Sequence, residues 1–154
     1  RIIKFNAIMN NLKIMEIFSE ADMESAFKIR RLVFCDEQKV DEKDEFDGLD
    51  NQCRHYLVKR ERNAIATARL RKKNHKLIKI ERVAVLKENR GKGIGQALMK
   101  SIIRDVKLGA GETLALHSQC HAQSFYEGLG FKKIGNTFEE AGIPHVYMKF
   151  YPPL

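Results

Sequence analysis

One stretch constrains this chain more than any other. Residues 77–86 read LIKIERVAVL, ENRGKGIG follows, and Ile94, Leu98, Ile102 and Val106 then recur at every fourth position. The first part is rich in β-branched residues and partly continuous in apolar content, which fits a central strand of a sheet. The last part is the apolar stripe of a helix, widened by Ala97, Met99 and Ile103, with Lys92, Lys100 and Arg104 on other faces. Beyond Gly109 and Gly111, TLALH at 113–117 reads as another strand. Strand, crossover helix and strand in that order make a parallel pair with a right-handed connection. The chain is therefore of the α/β or α+β class.

The flanking segments are hairpin-like, so the sheet is expected to be mixed. KIMEIF at 13–18 reads as a short strand, and Ser19 with Asp22 three positions on signals a helix start. Met23, Phe27 and Val33 or Phe34 continue near helical spacing. The acidic run at 36–50 reads as a loop or a short second helix. Residues 55–59 and 64–71 read as strands about the polar turn 60–63, with 72–76 closing the hairpin. A short helix is expected over 121–129, stopped by Gly130. Strands are expected over 131–134 and 146–150. No repeat or linker divides the 154 residues, which is one domain's worth. Residues 1–12 read as an N-terminal extension or processing remnant, with Met9 a candidate start, ahead of a single domain over 13–154.

Several function classes fall away. No apolar run exceeds four residues (32–35 and 83–86), far short of the roughly 20 of a membrane helix or the 7–15 of a signal core. The expectation is a cytoplasmic protein that meets no membrane. Cys35, Cys53 and Cys120 form no Cys-x-x-Cys pair, and the five histidines show no zinc-ligand spacing, so no metal is expected. The net charge is +8 and uneven. Residues 36–50, DEQKVDEKDEFDGLD, carry eight acids against two lysines, a local balance of −6 that leaves +14 over the remainder. A basic body suits a polyanionic partner. The acidic segment suits an amine. With no helix-turn-helix, RNP-like strand or basic arm, a nucleic-acid partner is not expected.

The turn Arg90-Gly91-Lys92-Gly93-Ile94-Gly95 carries the chemistry. Glycines allow positive φ and close approach of backbone to a ligand. The first N–H groups of the following helix lack intrahelical acceptors and, with the helix dipole, form an anion site suited to phosphate. Arg90 and Lys92 add charge. A nucleotide P-loop is absent, and both registers of the dinucleotide Gly-x-Gly-x-x-Gly fingerprint fail, at Gln96 and at Leu98. What remains is Arg-x-x-Gly-x-Gly.

The stretch IERVAVLKENRGKGIGQALM at 80–99 resembles the acyl-CoA-binding core of the GNAT superfamily of N-acetyltransferases. HSQCHAQSFYEGLGF at 117–131 is similar to that family's Asn-x-x-Ala-x-x-Phe-Tyr-Glu-x-x-Gly-Phe block. RRLVFCDEQ at 30–38 and IPHVYM at 143–148 resemble the small YjcF-like or ElaA-like subgroup. The resemblance covers roughly 13–150. It implies a mixed, mostly antiparallel seven-stranded sheet splayed between two central parallel strands, here 77–86 and 113–118, with helices on both faces. It implies acetyl-CoA as co-substrate in the V-shaped opening. Backbone groups of Val83, Ala84 and Val85 would pair with the pantetheine arm, and Arg90, Gly91, Lys92, Gly93, Ile94 and Gly95 would hold the pyrophosphate. Gln119 stands where relatives carry Asn, and would contact the pantetheine or fix the splayed strand.

The resemblance also implies roles in acetyl transfer by direct attack. Tyr126 aligns with the tyrosine near the sulfur and would be the general acid. Glu81 aligns with a glutamate that serves as base through water; His117 and His145 are rival bases. A backbone N–H near Val83 would stabilise the oxyanion. Cys120 receives no role. Residues 30–50 would flank the acceptor pocket. Arg30 or Arg31 would hold an anionic group, and Glu37 and Gln38 would meet an amine or hydroxyls. That combination suggests a small amine carrying an anion, with glucosamine 6-phosphate the specific case. Enzymes acting on that sugar have Glu-Asp where this chain has Glu81-Arg82. Peptide, protein or polyamine acetylation and a non-catalytic acyl-CoA sensor are the alternatives. A homodimer is left open.

Overall fold

The structure, a computed structural model, describes residues 11–153. The extension read over 1–12 lies almost wholly outside these residues. Among the described residues seven strands occur: β1 (Leu12–Glu16), β2 (Arg54–Arg60), β3 (Asn63–Asn74), β4 (Leu77–Val85), β5 (Thr113–Gln119), β6 (Phe131–Glu140) and β7 (Ile143–Phe150). They form one sheet in the order β1-β2-β3-β4-β5-β7-β6. Only β4 and β5 pair in parallel, joined through helix α3 (Ile94–Asp105) as the strand–helix–strand pattern requires. The other helices are α1 (Glu20–Arg30), α2 (Glu42–Glu45) and α4 (Gln123–Glu127). No helix among the described residues is long and apolar enough to cross a membrane.

The strand period of two places helices on both faces of the sheet. Tyr56 and Val58 of β2 pack in the cluster that holds Ile94, Leu98, Met99 and Ile102 of α3. Leu57, between them, packs instead with Ala26 and Ile29 of α1. Ser19 caps α1, its Oγ accepting the Asp22 amide at 3.1 Å. Acids in the first turn and Lys28 and Arg30 in the last turn suit the helix dipole. Beyond Arg30 the helix widens into a π-helical stretch, Arg31–Glu37, closed where the Gln38 amide donates to the Val33 carbonyl at 3.2 Å.

Two local features open the sheet. The β4–β5 ladder runs only from Leu77↔Thr113 to Ile80↔Leu116. Beyond it β4 stays with β3 up to Ala66↔Val85, while β5 stays with β7 up to Gln119↔His145. On β4, Arg82 and Val83 together face the single Ala68 of β3, and Arg82 has φ +56°. Such a bulge bends and twists its strand.

The last hairpin is longer than its sequence suggests. The expected strands 131–134 and 146–150 extend to Glu140 and begin at Ile143. β6 is a sheet edge and most of it is exposed, so no apolar alternation marks it. Its tight turn, Ala141-Gly142, has φ of +50° and +75°, the signs of a two-residue type I′ hairpin. The expected 121–129 helix shortens to α4, preceded by a 3₁₀ turn at Cys120–Ala122.

Candidate active site

A cleft of about 1130 Å³ occupies the opening between β4 and β5. Val83, Ala84 and Val85 line one wall, and Leu116, His117 and Gln119 line the other. The glycine turn and α4 contribute Gly91, Gly93, Ile94, Gly95, Phe125 and Tyr126. Arg71, Lys79, Glu81, Arg82, Glu140 and His145 line it as well.

The turn fits an anion. Gly91 and Gly93 have φ of +74° and +79°, the left-handed region that glycine favours. Gly93 caps α3 without a side-chain hydrogen bond. Its carbonyl accepts from the Ala97 amide at 3.0 Å, which leaves the amides of Ile94, Gly95 and Gln96 without intrahelical acceptors. A Cβ at Gly91 or Gly93 would meet no heavy atom within 4 Å, so the space before the turn is open. Gly95 serves packing instead: its Cβ would meet Phe125 and Val85 at 3.6 Å.

Arg90 lines the cleft with the glycines of the turn, and its side chain also makes contacts within the protein. Its guanidinium bridges Glu37 at 2.9 Å on each oxygen, and its Nε donates to the Val85 carbonyl at 2.9 Å. Its own amide donates to Lys87. Arg90 thus braces the turn against the π-helical stretch, and its charge is spent on Glu37. That hydrogen bond holds the Glu37 carboxyl below its ordinary pKa. Glu37 is thereby paired with the glycine turn rather than left free for an acceptor, and the Val85 carbonyl already accepts one hydrogen bond. Lys92 is exposed and does not line the cleft.

Tyr126 borders the cleft with its ring edge-on to Phe125 and Phe131. Burial pushes its phenol well above the ordinary value, so it keeps its proton at neutral pH. Gln119 Nε2 donates to Gln38 Oε1 at 2.8 Å, and His121 Nε2 lies 2.7 Å from Gln119 Oε1. Gln38 is thereby in the cleft, as expected, while bridging to β5.

Glu81 lies in the cleft but is fully engaged. Arg69 binds its Oε2, Arg71 binds both oxygens, and Lys79 Nζ lies 3.4 Å from Oε1. Burial alone would raise its pKa; the hydrogen bonds from Arg71 and the charge of Arg69 and Lys79 outweigh that and bring it from 4.5 to about 2. A carboxylate so stabilised is a weak proton acceptor, which argues against the base role expected for it. Arg82, its sequence neighbour, turns to Glu45 and Asp47 instead.

Neither arginine expected at the acceptor reaches it. Arg30 is 1% exposed and is consumed by Glu45 at 2.7 Å and Asp50 at 2.8 Å. Arg31 stacks over Phe46, pairs with Glu42 and lines no part of the cleft. The acidic run 36–50 is therefore largely countercharge: Glu45, Asp47 and Asp50 neutralise Arg30, Arg69 and Arg82. On the opposite wall, His117 Nδ1 lies 3.0 Å from Glu140 Oε1, and His145 Nε2 lies 3.7 Å from Glu140 Oε2.

Arg69, Arg71, Lys79 and Glu140 were not singled out from the sequence. Three of them had a signal. Arg69 and Arg71, then Lys79 and Glu81, stand at alternate positions beside the apolar residues Leu70 and Ile80 of two adjacent strands, and the register pairs Arg69 with Glu81 and Arg71 with Lys79. Glu140 lies on the unmarked edge strand and had none. No group of three or more His, Cys, Asp or Glu placed to hold a metal occurs among the described residues.

Residues 33–152 match the model of the acetyltransferase (GNAT) domain. The chain is 41% identical to YyaT of Bacillus subtilis over 140 residues, covering 89% of this chain and 94% of that protein. It is 33% identical over 131 residues to YjcF, an uncharacterized N-acetyltransferase of Bacillus subtilis, covering 84% and 93% of the two. The crystal structure of Escherichia coli ElaA superposes with a TM-score of 0.81 at 27% identity, over 91% of this chain and 99% of that one. The splayed sheet, the phosphate-ready turn and these likenesses agree: the chain belongs to the GNAT acetyltransferase family, in the group of small proteins that includes YjcF and ElaA, and is an acyltransferase enzyme.

Proposed function

We propose that this enzyme moves an acetyl group from acetyl-CoA to the primary amine of a small acceptor by direct attack. The observation that carries this reading is the pairing of two features in one cleft. A left-handed glycine turn, followed by helix amides without intrahelical acceptors, lines the cleft, and a protonated tyrosine borders the same cleft. Acetyl-CoA supplies an activated acyl group as a thioester. Gly91, Gly93, Ile94 and Gly95 would hold its pyrophosphate through backbone N–H groups, a charge-assisted contact. Val83, freed from β5 by the splay and set by the bulge, would offer its backbone N–H to the acyl carbonyl oxygen. As the N–C bond forms and the C–S bond breaks, the amine proton passes to a base and the sulfur takes a proton from Tyr126. The base is an imidazole of the β5–β7 wall, because Glu81 is committed to its cations.

An amino-sugar phosphate such as glucosamine 6-phosphate remains the acceptor to try first, with changed anchors. Arg71 and Lys79 line the cleft, and the donors that their pairing with Glu81 leaves over, Arg71 Nη1 among them, replace Arg30 and Arg31 as the groups that would meet its phosphate. The test is acetyl-CoA-dependent thiol release against a panel of amines, with product mass confirming acetylation. Turnover on the phosphosugar alone supports this acceptor. Turnover on a polyamine or a peptide instead keeps the chemistry and removes the phosphate anchors. Binding of CoA with no turnover on any amine overturns the catalytic reading in favour of a sensor.

A further inference from the structure

We infer that Glu140 is a positioning residue for the reaction, holding His117 in the tautomer whose Nε2 takes the proton of the acceptor amine. This rests on the N-acetyltransferase reading above and deepens it. His117 Nδ1 lies 3.0 Å from Glu140 Oε1. An ionised carboxylate can only accept hydrogen bonds. The hydrogen bond from His117, the charge of that ring when it is protonated and the charge of Lys79 hold the Glu140 carboxyl below its ordinary pKa against the cost of burial, so it is ionised at neutral pH. The proton of a neutral His117 therefore sits on Nδ1, and the lone pair is on Nε2. Nε2 has no hydrogen-bond partner among the described residues, and the ring lines the cleft. Phe138 and Tyr147 hold it edge-on at 4.9 and 5.6 Å between centroids.

His145 is the weaker candidate for the same task. Its Nδ1 lies 2.6 Å from the Ile143 carbonyl, which also accepts only, so Nδ1 carries a proton. Its Nε2 is turned to the second Glu140 oxygen at 3.7 Å. One carboxylate on β6 thus faces two imidazoles, one from β5 and one from β7. Lys79 and Glu81 of β4 line the same cleft, and Arg69 and Arg71 of β3 neutralise Glu81. Glu140 itself is set at the mouth of the hairpin turn by Ala141, a non-glycine residue with φ +50°. Left-handed backbone is unfavourable for alanine, and such strain collects where a neighbour must be placed.

The experiment uses Glu140→Gln and Glu140→Asp in the intact enzyme. Glu140→Gln is expected to lower kcat/KM at neutral pH by about tenfold or more while acetyl-CoA affinity stays at the wild-type level. Glu140→Asp should recover part of the rate. An unchanged kcat/KM in Glu140→Gln, or a loss that Glu140→Asp does not partly recover, would reduce Glu140 to a structural role and overturn the inference. A second readout needs no acceptor: long-range proton–nitrogen NMR of the free protein should report His117 protonated on Nδ1 in the wild type and a mixed tautomer in Glu140→Gln. A His117 protonated on Nε2 in the wild type overturns the inference even where the enzyme acetylates. A wild type that acetylates no amine overturns the function reading instead, and leaves the tautomer result to stand on its own.

Discussion

Arg69 and Glu81 face each other across β3 and β4, joined by two hydrogen bonds to one carboxylate oxygen, from Nε at 3.0 Å and from Nη2 at 2.5 Å. Arg69 also reaches Asp47 at 2.9 Å and Asp50 at 3.0 Å. One buried guanidinium therefore ties the strand hairpin to the acidic run. A segment whose charge suits an amine is instead held to the sheet by internal pairing.

Glu81→Gln should be destabilising, because it leaves Arg69 and Arg71 short of a buried countercharge. Breaking one side of a buried pair costs about 3–5 kcal/mol. The pH dependence has a definite direction. The folded-state pKa of about 2 lies below the ordinary 4.5, so the stabilisation from Glu81 is present above 4.5 and is lost as pH falls toward 2. Thermal melts between pH 5 and 3 should fall more steeply for wild type than for Glu81→Gln. Parallel curves would mean that Glu81 is not held as described.

Tyr126→Phe keeps the ring between Phe125 and Phe131 and removes only the hydroxyl. Turnover should drop about tenfold or more, with acetyl-CoA affinity near wild type. Unchanged turnover would remove Tyr126 from proton donation. Steady-state kinetics with a calorimetric Kd separate the two effects.

Gly93→Val should weaken acetyl-CoA by at least about a hundredfold, since two charge-assisted hydrogen bonds are worth about 3–6 kcal/mol. The new side chain meets no protein atom within 4 Å of its Cβ. Two other effects act: a φ of +79°, which costs an L-residue about 1–2 kcal/mol, and occupation of the space where the phosphates would lie. Retained affinity, measured by calorimetry, would displace the cofactor from this turn.

Ala141→Gly should stabilise the protein by roughly 0.5–1 kcal/mol, the relief of left-handed strain less the added unfolded-state entropy. For a chain of this size the melting temperature should rise by about 1–4 °C. A fall would show that the Ala141 methyl is held by contacts worth more than its strain.

What was legible in the sequence follows from the range of the forces involved. The β-branched run at 77–86, the fourfold stripe of α3 and the glycine turn are local patterns, and the structure reproduces them. The splay of β4 from β5 is not local. It depends on where β3 and β7 hold their partners, and it was expected from the family resemblance alone. Arg30 shows the same limit. Its partners Glu45 and Asp50 lie 15 and 20 residues away, so nothing near it in sequence marks it as buried. Glu81 was placed correctly in the cleft, but its chemistry is set by Arg69, Arg71 and Lys79 on two strands. The edge strand β6 was half missed because an exposed strand has no apolar face to read, and with it went Glu140.

The central claim is that acetyl-CoA lies in the β4–β5 opening with its pyrophosphate on the glycine turn. A proton–nitrogen NMR titration of the amides with acetyl-CoA tests it most directly. The account predicts that Val83, Gly91, Gly93, Ile94 and Gly95 shift together and saturate with one binding constant. Shifts scattered over the basic surface away from these residues, or none at all, would contradict it.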